Sequence, residues 1–93
     1  MSNYIEQEMF SWSSGTHAMG EVLKKWREEK GFSLYSIAKY EDNEQPRTEL
    51  FKKVEEGRGS MRSLLMYFDF IGWKDRPFLN ELLTKWRQQM GFE

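Results

Sequence analysis

The chain has no cysteine and a single histidine, His17. Disulfides and thiol catalysis are therefore excluded, and neither a zinc site nor a histidine-based triad can be assembled from its side chains. Only two prolines interrupt the 93 residues, and no apolar run approaches the length a membrane span requires. The first nineteen residues hold two carboxylates and no lysine or arginine, with no continuous apolar block. They lack the charged start and hydrophobic centre of a secretory signal, so a cytoplasmic protein is expected, with no membrane partner. An excess of positive charge is also missing: 14 basic residues face 15 acidic ones, a net charge of −1. Affinity for a polyanion must then come from local placement rather than overall charge.

What is present is helical. Met19, Val22, Leu23 and Trp26 fall at i, i+3, i+4 and i+7, with Glu21, Lys24, Lys25, Glu28 and Glu29 turned outward. Gly31 is placed to end this helix in a left-handed cap, with Phe32 folding back on its apolar face. Ser33 opens a second helix carrying Leu34, Ile37 and Ala38 inward. The polar run Glu41-Asp42-Asn43-Glu44-Gln45 and then Pro46 close it, because proline biases Gln45 towards extended backbone. A third helix is expected from Arg47 or Thr48 to Glu56, burying Phe51 and Val54 and stopped at Gly57-Arg58-Gly59.

Ser60 caps a fourth helix with an apolar stripe of Met61, Leu64, Leu65, Phe68 and Ile71. Asp75 caps a fifth, with Pro77 in its first turn and Phe78, Leu79, Leu82, Leu83, Trp86 and Met90 on its inner side. No stretch alternates with strand period. The fold class is all-α, a compact bundle of about five helices, with Trp26, Ile37, Phe51, Val54, Leu65, Phe68 and Trp86 in the core. Before it, residues 1–16 read as an N-terminal arm or short helix, with Tyr4, Ile5 and Met9 on one helical face and a break at Ser13-Ser14-Gly15-Thr16. Residues 17–93 read as one domain, and His17 as a solvent-exposed residue of a Ser/Gly/Thr-rich linker. Glu21-Val22-Leu23-Lys24-Lys25-Trp26-Arg27 with Gly31-Phe32 is echoed by Glu81-Leu82-Leu83-Thr84-Lys85-Trp86-Arg87 with Gly91-Phe92. Two amphipathic helices with the same tryptophan anchor and glycine-aromatic stop account for it. The chain is too short for a repeat array.

Three pieces of this pattern occur in a telling order: Arg27 to Gly31 ending the first helix, Ser33 with Ile37-Ala38 in the second, and Val54-Glu55-Glu56-Gly57 ending the third. Together they resemble the lambda-repressor-like (Xre, Cro-type) helix-turn-helix family over about half the chain. The interval from Ala38 to Glu55 is longer than the family's usual one by about three residues, giving a longer turn between helices two and three.

The resemblance implies a small DNA-binding transcriptional regulator, with helix three in the major groove of double-stranded DNA and two copies on paired half-sites. On that mapping Arg47 is suited to a guanine edge and Thr48 to a thymine methyl or a phosphate, while Lys52, Lys53 and Arg58 are available to the backbone. Ser33, with the N–H groups at the start of helix two, is a further phosphate contact. Glu49 reads as a solvated residue of the helix. No cofactor, metal or small-molecule substrate is implied, and Glu55 and Glu56 form no carboxylate dyad for acid–base chemistry, so the chain does not read as an enzyme. The alternative is a helix-turn-helix-derived protein-interaction module that does not bind DNA. Tyr67 and Trp73, flanking the end of helix four, are the aromatics that an interface there would use.

Overall fold

The computed structural model describes residues 14–89 as five helices: α1 Ser14–Lys30, α2 Leu34–Glu41, α3 Thr48–Glu55, α4 Met61–Lys74 and α5 Arg76–Gln89. There is no strand among the described residues, and the architecture is the all-α bundle that the spacing predicts. No described helix is long and apolar enough to cross a membrane.

The boundaries follow from local chemistry. Gly31 and Gly57 adopt φ of 81° and 83°, the left-handed region that glycine enters without a Cβ penalty. Each closes a Schellman pair: Phe32 N–H donates to the Arg27 carbonyl at 3.0 Å and Gly31 N–H to Glu28 at 3.1 Å, and Arg58 and Gly57 donate in the same way to Lys53 and Val54. Ser33 and Ser60 are N-caps, each accepting from the backbone N–H three residues on, Ser36 and Ser63, at 3.1 Å. Asp75 caps α5 by accepting from the Phe78 N–H at 3.3 Å.

α3 lies at the centre of the packing, in contact with α1, α2 and α4, while α5 covers α4 and α1. One continuous core runs through Leu23 and Trp26 of α1, Ile37 of α2, Phe51 and Val54 of α3, Leu64, Tyr67, Phe68, Phe70 and Ile71 of α4, and Leu82 and Trp86 of α5. The Trp26 indole stacks on Phe78 with centroids 5.7 Å apart and meets Phe70 edge-on. Its N–H donates to Asp75 Oδ2 at 3.0 Å, and Lys30 lies 3.5 Å from the same oxygen. The donor and the cation hold the Asp75 carboxyl below the ordinary carboxylate value, the indole hydrogen bond contributing most.

Four expectations are corrected. α1 begins at Ser14, so Ser14-Gly15-Thr16 are helical and the boundary drawn between residues 16 and 17 falls inside a helix. The weak helix propensity of these residues is overridden by continuation of α1, whose next turn packs on α3. His17 accordingly belongs to α1 and not to a linker. Leu65 is 54% exposed, because the buried arc of α4 passes through Ser63, Leu64, Tyr67, Phe68, Phe70 and Ile71, and Leu65 projects from the opposite side. Tyr67 is buried, leaving Trp73 as the surface aromatic of that pair. The expectations for Tyr4, Ile5, Met9, Met90 and Gly91-Phe92 lie outside the described residues.

Trp26→Ala removes a stacked ring and orphans the buried side of Asp75's hydrogen bonding. Truncating a core aromatic costs about 3–5 kcal/mol, so the variant should melt far below the parent in a thermal scan monitored by circular dichroism. An unchanged midpoint would mean that α1 is not held as described.

Candidate nucleic-acid interface

Two charges sit inside this small bundle. Glu55, the last residue of α3, is buried, and both of its oxygens are taken by Arg27 of α1: Nε to Oε2 at 2.6 Å and Nη2 to Oε1 at 3.1 Å. The guanidinium also donates from Nη1 to the Phe32 carbonyl at 3.0 Å, so one side chain ties α1, the cap after it and α3. The Tyr67 hydroxyl of α4 donates to Glu55 Oε2 at 2.5 Å and lies 3.3 Å from the Leu23 carbonyl. The hydrogen bonds from Arg27 to Glu55 raise the arginine pKa further, and burial, reinforced by Glu55, raises that of the Tyr67 phenol. Arg27 and Tyr67 thus both keep their protons while they share a fixed geometry with Glu55.

This arrangement fixes the roll of α3. Phe51, Val54 and Glu55 face inward, and Lys52, Lys53 and Glu49 face solvent. The approach of α1 is close because residue 20 is glycine: a Cβ there would lie 2.6 Å from the Glu55 carbonyl oxygen. The turn before α3 is shaped by Asp42, whose Oδ1 accepts from the Glu44 and Gln45 N–H groups at 3.1 Å.

The sequence-predicted contact residues fall on α3 and its two ends, apart from Ser33. Arg47 is the residue before α3 and Thr48 its first; Lys52 and Lys53 are exposed one turn on, and Arg58 follows the Gly57 cap. Two of the cations have acidic neighbours: Arg47 Nε lies 3.3 Å from Glu49, and Arg58 Nη2 lies 2.7 Å from Glu56. Ser33 is at the start of α2, where its Oγ caps Ser36 N–H and lies 3.0 Å from the Ser36 hydroxyl. Its hydroxyl is therefore engaged, which leaves phosphate contact to the N–H groups beside it rather than to a free side chain.

A groove between the α2–α3 turn and α4 carries Arg47 and Arg62 together with Glu41 and Asp42. One Glu41 oxygen is buried without a hydrogen-bond partner, and Asp69 of α4 is its charged neighbour. Burial and then the Asp69 charge push the Glu41 carboxyl up to about 6. Among the described residues no three side chains of the metal-binding types lie together. Comparison with protein-family models, curated proteins and solved structures finds no match.

The residue types of Arg27 and Glu55 were visible in the sequence as motif positions, but not their pairing, which spans 28 positions. The involvement of Tyr67 carried no sequence signal beyond its helical register.

A carboxyl whose folded pKa exceeds its unfolded value favours the folded state when protonated. That contribution is complete below 4.5 and is lost as pH rises through about 6. Glu41→Gln keeps the shape without the charge, so its melting temperature should exceed that of the parent above pH 6, with the gap closing towards acid. Parallel pH–stability profiles for the two proteins would show that Glu41 is not a strained carboxylate.

Proposed function

We propose that this protein is a small DNA-binding regulator in which α2 and α3 form a helix-turn-helix and α3 enters the major groove, two copies acting on paired half-sites. One observation supports the reading most. Between residues 47 and 58 the chain carries Arg47, Lys52, Lys53 and Arg58 against three carboxylates, and Glu55 is withdrawn into the core with Arg27 as its counter-charge. The exposed surface of this stretch thus has four cations against Glu49 and Glu56. A chain that is nearly neutral overall presents a local positive surplus where the resemblance to the lambda-repressor-like family puts DNA.

The ion pairs of Arg47 and Arg58 favour a second reading, the protein-interaction module, because they engage half of these cations. Their energies argue the other way. All four side chains are well exposed, and exposed ion pairs contribute only about 0.2–1 kcal/mol, so a phosphate or a guanine edge can replace the carboxylate at small cost. The DNA reading is the better supported.

A fluorescence titration against mixed-sequence duplex DNA at two salt concentrations tests it. Wild-type affinity should fall with salt, and Lys52→Ala should weaken binding to every sequence and reduce the salt slope by roughly one unit. Arg47→Ala should instead relax preference at one base pair, costing ~1–3 kcal/mol of discrimination. Absence of salt-dependent binding to any duplex at low ionic strength would transfer the protein to the interaction-module class.

A further inference from the structure

The side of α4 turned away from the core carries an ordered stripe. Arg62, Leu65, Met66, Asp69, Gly72 and Trp73 fall within about 120° of the helix circumference at roughly 3.6 residues per turn. Leu65 and Trp73 are 54% and 59% exposed, and Met66 is half-buried between them and the core. Large apolar side chains in solvent on one continuous helix face mark a contact surface. The stripe has two charged members, Arg62 and Asp69, both exposed. They stand two turns apart, about 10.5 Å along the axis, and so do not reach each other. Neither has an ion-pair partner among the described residues. Tyr40 and Glu41 of α2, which lie beside Asp69, bring it no positive charge, and Arg76 in the same groove donates to the Gly72 carbonyl at 3.2 Å instead.

We infer that this stripe is a self-association surface, on which a second copy of the chain packs its own α4 antiparallel, Arg62 of each copy meeting Asp69 of the other with Leu65 and Met66 between the two bridges. The order of the side chains along α4 selects that occupant. In a two-fold antiparallel pair, position 62 of one copy lies level with position 69 of its partner, and position 65 level with position 66. Each cation then finds a carboxylate, twice over, and each exposed leucine is covered by the apolar pair of the other copy. A parallel pair would set arginine on arginine and aspartate on aspartate, and an antiparallel pair centred on Asp69 would oppose the two aspartates. The charges therefore fix both direction and register, while the covered leucines supply the attraction, because exposed ion pairs contribute little by themselves.

Charge exchange on the full chain tests this pairing. Sedimentation equilibrium over a concentration series reads the association of wild type, of Arg62→Glu and Asp69→Arg each alone, and of the two variants mixed. A carboxylate at position 62 suits the first turn of α4, and a cation at position 69 sits beside Glu41, so both variants should keep the fold, which circular dichroism checks. Wild type should form dimers. Each variant alone should associate roughly tenfold or more weakly, because like charges then face each other at both bridges. Mixed, the two should recover a one-to-one dimer, since the new carboxylate of one meets the new cation of the other and the unaltered Asp69 and Arg62 meet at the second bridge. Wild type that stays monomeric throughout, a dimer indifferent to either substitution, or a mixture that fails to associate would overturn the proposal. The pairing would supply the two copies of the DNA reading, but it is argued from α4 alone and measured without DNA. Failure of α3 to bind a duplex leaves these outcomes unchanged, so the two readings fall separately.

Discussion

The buried contact of Glu55 with Arg27 and Tyr67 is the constraint on which the arrangement of the other parts rests. Removing a carboxylate and a guanidinium from water costs several kcal/mol per ion, and their attraction offsets that only with good geometry and full hydrogen bonding. Both conditions are met: the pair is bidentate, Tyr67 donates to Glu55, and Arg27 also reaches the Phe32 carbonyl. An apolar substitute could supply comparable stability but not the same direction. α3 is eight residues long, and its apolar anchors are Phe51 and Val54 in the core with Leu50 partly buried beside them, a set that would tolerate some rotation about the helix axis. A charge that must meet one guanidinium and one phenol does not tolerate it.

Two consequences reach the surface. With Glu55 directed inward, the outer side of α3 loses a negative charge that the sequence alone would place near Lys52 and Lys53. The end of α3 is also drawn against Gly20 of α1, where a side chain would meet the Glu55 carbonyl. The proposed DNA-reading face is thus a product of internal electrostatics as much as of the residues on it. The stacked rings of Tyr40 on α2 and Trp73 on α4 have a different origin: Phe70 of α4 meets both of them edge-on.

How much of this could be read in the sequence divides along the range of the interactions. Helix ends at Gly31, Ser33, Gly57, Ser60 and Asp75 were legible, because caps and left-handed glycines act within a few residues. The core positions Trp26, Phe51, Val54 and Phe68 were legible from periodicity. Leu65 was not, since an apolar stripe on α4 wider than its contact area leaves one edge in solvent. The start of α1 was missed because Ser14-Gly15-Thr16 have weak helix propensity and the deciding influence is non-local. Of the candidate site, the outward set on α3 followed from the helical spacing. The Arg27–Glu55 pair, the Tyr40–Trp73 stack and the Glu41–Asp69 proximity all join separate helices, and no local pattern encodes them.

The central claim is that Arg27, Glu55 and Tyr67 hold α3 in one orientation, and native-state amide hydrogen exchange on Glu55→Gln tests it most directly. Glutamine keeps the size and can accept from Arg27 while removing the charge that makes the contact directional. The account predicts that protection falls first and most in α3 and the turn at 42–47, with the α4 and α5 core amides keeping their wild-type ranking. A uniform loss across all five helices, or no loss in α3, would contradict it.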